Sequence, residues 1–177
     1  MKASRFILVF IGLVISRGAL CQEKSIGLFN SPKGFGVTYS NDAGNRSYNS
    51  FSLYSDMEGV FSGKNSNPGI RFEYFKVFFV KEKNTQDCEI RFYAGPGVSS
   101  GYVRDYGSDI YGVLLALSGT AGVRFCFPRG IAIDLGLSAD LGLHIRGKEN
   151  GQTANLKFYR NGLYRIPYPQ IKLEYCF

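Results

Sequence analysis

From Ile131 to Arg146 the chain alternates between two kinds of side chain without a slip. The odd positions are Ile131, Ile133, Leu135, Leu137, Ala139, Leu141, Leu143 and Ile145. The even positions are Ala132, Asp134, Gly136, Ser138, Asp140, Gly142, His144 and Arg146. A helix would mix these sets on its surface, whereas a strand sends them to opposite faces. Gly112 to Phe127 repeats the pattern. Val113, Leu115, Leu117, Gly119, Ala121, Val123, Phe125 and Phe127 oppose Ser118, Thr120, Arg124 and Cys126. Strands in ordinary globular sheets average about 5–6 residues, while a tilted strand needs about 9–11 to cross a bilayer. Long runs with an unbroken apolar face therefore favour lipid over a soluble core.

Shorter stretches follow the same rule. Phe51, Leu53, Met57 and Phe61 oppose Ser52, Tyr54, Asp56 and Glu58. Ile90, Phe92, Ala94 and Val98 oppose Glu89, Arg91, Tyr93 and Ser99. At the C-terminus Ile171, Leu173, Tyr175 and Phe177 oppose Gln170, Lys172, Glu174 and Cys176. Between Ile70 and Lys83 the alternation holds to Tyr74, slips at Phe75 and resumes with Val77 and Phe79, which predicts a β-bulge at the slip. Turn formers separate these runs at 42–46, 63–69, 84–87, 104–109 and 128–130. Ser31-Pro-Lys-Gly34 adds a turn that splits Ser25–Ser31 from Phe35–Ser40. The expected fold is all-β: eight antiparallel strands, up and down, closed into a transmembrane barrel with a lumen filled by side chains. If the last strand ends in the periplasm, 62–69, 104–109 and 147–166 face outward from the cell and 42–46, 84–87 and 128–130 face inward. Residues 154–166, where Asn161-Gly162 can close an extra hairpin, are read as part of a mobile outer loop.

The first 21 residues have the plan of a secretory signal peptide. Lys2 and Arg5 precede the apolar run Phe6–Ile15, and Ala19 and Cys21 occupy the −3 and −1 positions of a cut before Gln22. That run is shorter than the ~20 residues of a membrane helix. Lipid attachment at Cys21 is the rival reading, opposed by the bulky Leu20 before it. The barrel domain is then 22–177. Losing Lys2, Arg5 and Arg17 lowers the formal charge from +7 to +4. So mild an excess, with no basic run, gives no reason to invoke nucleic acid. Cys88, Cys126 and Cys176 are widely spaced and form no metal-like cluster; a Cys126–Cys176 disulfide is left open.

The ending Pro-Gln-Ile-Lys-Leu-Glu-Tyr-Cys-Phe resembles the terminal strand of bacterial outer-membrane barrels, in which a final aromatic and alternating apolar residues are read by the assembly machinery. Ile171, Leu173, Tyr175 and Phe177 hold those places. Across 24–177 the plan is similar to the small eight-stranded barrels of OmpA/OmpX type. The resemblance implies the outer membrane of a Gram-negative bacterium, with lipid and the barrel assembly machinery as partners.

The inward phase collects charges of both signs: Asp56, Glu58, Arg71, Glu73, Glu89, Arg91, Arg124, Asp134, Asp140, His144, Lys172 and Glu174. An eight-stranded barrel has room inside only for its own side chains, so these groups are expected to pair as a structural network. A narrow polar path through them is the functional alternative. His144, the sole histidine, raises a lipid A-modifying hydrolase or acyltransferase as another. A nucleophile needs its base within hydrogen-bond reach, and Ser138 lies six residues, about 20 Å, along the strand. No cofactor is expected, since Gly95-Pro-Gly97 lacks the lysine and the strand–loop–helix setting of a phosphate loop. Tyr39, Tyr74, Tyr102, Tyr106, Tyr111 and Tyr168 are expected in interfacial girdles. The leading expectation is a non-catalytic barrel acting structurally, in adhesion or by surface contact through its outer loops. Its rivals are a narrow conduit for small solutes, the lipid A enzyme, and a soluble lipocalin-type ligand binder, whose apolar face would point inward.

Overall fold

The computed structural model describes residues 24–44, 46–57, 60, 68–105, 111–146, 155–161 and 167–177. Residues 1–21, expected above to be a signal peptide, Glu58, Phe61, Tyr106 and most of 62–69, 104–109 and 147–166 lie outside the described residues. The strands are β1 (Lys24–Ser31), β2 (Gly34–Gly44), β3 (Ser47–Asp56), β4 (Gly69–Asn84), β5 (Glu89–Arg104), β6 (Tyr111–Phe127), β7 (Ile131–Arg146), β8 (Asn155–Phe158) and β9 (Tyr168–Cys176). Each of β1 to β7 pairs antiparallel with the next. β9 then closes the circuit between β7 and β1. The fold is a closed eight-stranded up-and-down barrel, with β8 stacked above β9 on the same edge of β7.

Chain chemistry explains the turns. The β2–β3 hairpin needs left-handed backbone at Gly44 and Arg46, and the β6–β7 hairpin needs it at Gly130. Glycine takes that conformation without steric cost. The start of β1 and the end of β9 meet at one end, where the Phe177 N–H donates to the Lys24 carbonyl at 2.9 Å. The β2–β3, β4–β5 and β6–β7 turns share that end by strand parity, and the longer connections share the other.

Alternation fixes which face each side chain takes. On β7, Leu135, Leu137 and Leu141 point out and Asp134, Ser138 and Asp140 point in. On β6, Leu117 is 70% exposed, whereas its neighbours Ala116 and Ser118 are buried. The barrel is thus greasy outside and polar inside, the inverse of a soluble ligand-binding barrel.

Two expectations are corrected and the open Cys126–Cys176 pairing is answered. β4 does not slip at Phe75. Phe75 and Val77 continue inward while Tyr74, Lys76 and Phe78 stay outward, and the register shift falls between Phe79 and Lys81. Here the interior is itself apolar, because Phe75 and Val77 pack against Tyr48 and Tyr93. Residues 154–166 are not simply loop: β8 pairs with Leu143–Arg146 of β7, and beyond it Tyr159 and Asn161 are buried. Cys126 and Cys176 pack together but do not bond to each other, since Cys126 is a free thiol.

Candidate functional site

The lumen gathers the charged side chains in two tiers. In the upper tier, Asp140 on β7 is the hub. It accepts hydrogen bonds from Lys33 Nζ at 2.8 Å, from Ser118 Oγ at 2.7 Å and from the Arg71 guanidinium. Arg71 Nε also lies 3.2 Å from Glu73 Oε1, which accepts from the hydroxyls of Tyr54 at 2.6 Å and Tyr168 at 2.9 Å. The Lys33 ammonium sits 3.6 Å from the centroid of the Tyr168 ring. Tyr159 closes this tier from above, its hydroxyl accepting from Arg71 Nη1 at 3.3 Å.

The lower tier is built around Arg124 on β6. Its Nη2 pairs with Glu174 Oε2 at 2.6 Å, and its Nη1 stands 3.7 Å from Asp134 Oδ2. Glu174 accepts further bonds from Ser25 at 2.6 Å and Ser40 at 3.1 Å. Asp134 accepts from Tyr48 at 3.1 Å and from Tyr93. Tyr93 reaches it because Gly122 and Gly136 leave space: a Cβ on either would fall within 2.6 Å of its hydroxyl oxygen. Between the tiers, Gln170 and Ser138 bond Thr120, and Lys172 donates to Ser50 at 2.8 Å.

Charges of opposite sign meet in both tiers, with Lys33 and Arg71 against Glu73 and Asp140 above, and Arg124 and Lys172 with Asp134 and Glu174 below. Removing charge from water is costly unless partners replace the lost hydration. Short contacts from several strands to each carboxylate supply that replacement. Every wall strand contributes to this packing, so the network ties the circuit across its diameter as well as around it.

Among the residues singled out from the sequence, Asp56, Arg71, Glu73, Arg124, Asp134, Asp140, His144, Lys172 and Glu174 are buried in the barrel. Glu89 and Arg91 pair with each other at 2.8 Å, half-buried at the terminal end. Glu58 lies outside the described residues. His144 is held between the Val103 carbonyl, 2.9 Å from Nε2, and Arg146 Nε, 3.4 Å from Nδ1. Both of its ring nitrogens are thus engaged. Among the described residues no group of His, Cys, Asp and Glu could hold a metal ion.

Sequence reasoning missed the aromatic half of the network. Tyr168, expected in an outer girdle, is buried in the lumen, whereas Tyr39 and Tyr102 are exposed on the wall. The signal was present: Tyr168 shares the phase of Gln170, Lys172 and Glu174. Lys33 had no such signal, because a turn has no alternating phase. Its burial became visible only once the β1–β2 turn was seen beside Asp140. On the outside, Ile171, Leu173 and Phe177 of the C-terminal strand are exposed and Tyr175 is partly so. Comparison with family models, with curated proteins and with solved structures returned no match.

Proposed function

We propose that this chain is an integral outer-membrane β-barrel of a Gram-negative bacterium, exported by a cleaved leader and similar in plan to the OmpA/OmpX-type barrels. One observation carries the reading. Leu115, Leu117, Leu135, Leu137, Leu141, Ile171 and Leu173 cover the outside of the wall, while Arg71, Asp134, Asp140 and Glu174 fill the inside. A water-facing barrel would expose a continuous apolar belt far larger than the few hundred Å² that soluble monomers tolerate. Hydrocarbon accepts that belt, and closure leaves no strand edge unpaired in lipid.

Within that setting the role is non-catalytic and structural, adhesive or surface-interacting, carried by the outer loops, because loops vary while the lipid-covered wall cannot. The packed and paired lumen favours this role over a solute conduit. His144, engaged on both ring nitrogens, favours it over a lipid A-modifying enzyme. The terminal row Ile171, Leu173, Tyr175 and Phe177 is the proposed signal for the assembly machinery. Fractionation tests the membrane reading: the protein should stay with carbonate-washed outer membranes and migrate faster on a gel unboiled than boiled. Recovery in the soluble periplasm, with no shift on boiling, would overturn it.

A further inference from the structure

The wall has two heights. β9, β1, β2 and β3 are adjacent and contain 9, 8, 11 and 10 residues, whereas β4 to β7 contain 16, 16, 17 and 16. The outward rows differ in the same way. On β6 they run from Val113 to Phe127, and on β7 from Ile131 to Ile145, without a polar side chain. On β1 only Ile26 and Leu28 stand between Lys24 and Asn30, and on β3 only Phe51 and Leu53 stand between Asn49 and Ser55. Asn41, Asn49 and Lys76 are direct register partners and make a polar row beneath this short belt.

At about 3.3 Å per residue, two or three alternate positions span roughly 7–13 Å along a strand, against the ~25 Å apolar band of outer-membrane barrels. From Lys24, where the described residues begin, β1 runs 8 residues to its turn, against the ~9–11 that a crossing strand needs. Its turn stops partway up the wall: Lys33 in that turn and Ser118 in the middle of β6 bind the same Asp140 carboxylate. Above that level the opposite wall continues with exposed Val113, Leu115 and Leu143.

We infer that the bilayer is locally thinned along β1–β2–β3, with lipid headgroups settling at the Ser31–Gly34 turn and at the Asn41–Asn49–Lys76 row. The inference rests on the membrane reading above. A bilayer of uniform depth would place the Lys76 ammonium and the remaining hydrogen-bonding capacity of Asn41 and Asn49 in hydrocarbon, where polar groups without water are strongly disfavoured, even though Tyr74 donates to Asn49 Oδ1 at 3.1 Å. Tilting the barrel moves both edges of the belt the same way and so cannot shorten it from both ends. Thinning costs only fractions of a kcal/mol per Å of mismatch, and headgroups and water hydrate the polar rows at both edges. The occupant of this side is therefore lipid, held in a shallower layer than on the β4–β7 side.

The chain contains no tryptophan, so single-tryptophan variants report their own depth. Phe35→Trp and Tyr39→Trp probe the short side; Leu117→Trp, on the strand opposite β2, probes the long side. Each is folded into phosphatidylcholine vesicles brominated either near the headgroup or near the chain end, and retained heat-modifiability confirms folding. Val37→Trp replaces either short-side variant that fails to fold. The expected ratio of chain-end to headgroup quenching is at least about two-fold lower for both short-side variants than for Leu117→Trp, given the difference in belt height. Equal ratios, or one short-side variant as deep as Leu117→Trp, would overturn the inference in favour of a uniform or tilted bilayer. Loss of quenching on the short side alone would overturn it in favour of a protein partner or second copy. No quenching in any variant would refute the membrane reading itself.

Discussion

The long half of the barrel, β4 to β7, and the short half, β9 through β3, obey one alternation rule yet use it for different ends. In the long half nearly every outward position is apolar, and Leu115, Leu117, Leu135, Leu137 and Leu141 are all about half exposed or more. On β1, β2 and β3 of the short half the outward rows are brief and end in asparagine, serine or lysine, whereas the outward row of the C-terminal strand, Pro169 to Phe177, is apolar throughout. Inside, the contrast disappears. Lys33, Ser25 and Tyr54 from the short half complete the ion pairs and hydrogen bonds of Asp140, Arg124 and Glu73 from the long half. The two halves are therefore matched by their lumen and distinguished by their exterior. Surroundings set the outer pattern, whereas charge pairing sets the inner one.

The largest expected effect comes from cutting the bond between the halves. Asp140→Ala leaves the buried Lys33 and Arg71 without their shared carboxylate. It should lower stability by about 3–5 kcal/mol, the usual loss when one partner of a buried pair is removed. Denaturant unfolding in vesicles measures it, and a loss below about 1 kcal/mol would mean that the tiers do not hold the halves together.

Arginine on the wall should then separate the two exteriors. Leu117→Arg, in the middle of the long belt, should cost about 2–4 kcal/mol, whereas Leu53→Arg, near the edge of the short belt, should cost about 0–1 kcal/mol, because the penalty falls towards the interface. Equal penalties in the same unfolding assay would erase the distinction. A smaller loss is expected from Tyr168→Phe, which removes a buried hydroxyl donor from Glu73 and should cost about 1–3 kcal/mol. The exposed control Tyr102→Phe should change stability by less than about 0.5 kcal/mol. The smallest effect belongs to Asn49→Leu, which lengthens the short belt. It should shift the stability optimum towards longer-chain lipids by fractions of a kcal/mol per Å, read by comparing unfolding in thin and thick vesicles.

How much of this was legible in the sequence depends on how cleanly each face keeps one chemistry. β6, β7 and β9 could be read strand by strand because no polar side chain stands in the outward phase between Val113 and Phe127, Ile131 and Ile145, or Ile171 and Phe177. β4 misled because Phe75 and Val77 fill an apolar patch of the lumen while Lys76 stands on the outer wall, so residue type stops reporting direction there. The segment after β8 offered no alternating run at all, and Tyr159 is buried against Val103, Leu114 and Ala116, partners that only the closed barrel supplies. Lys33 is the clearest case. A lysine in a proline–glycine turn reads as solvated, and only closure of the barrel brings Asp140 to meet it. Local periodicity thus reveals strands and their faces, while the partners across the lumen depend on register around the whole circuit.

The membrane-facing character of the wall can be measured at one residue. The Leu135→Trp variant, in a chain with no other tryptophan, should be quenched by brominated lipid tails and remain insensitive to iodide in the water. Strong quenching by iodide, with no response to brominated lipid, would contradict the account.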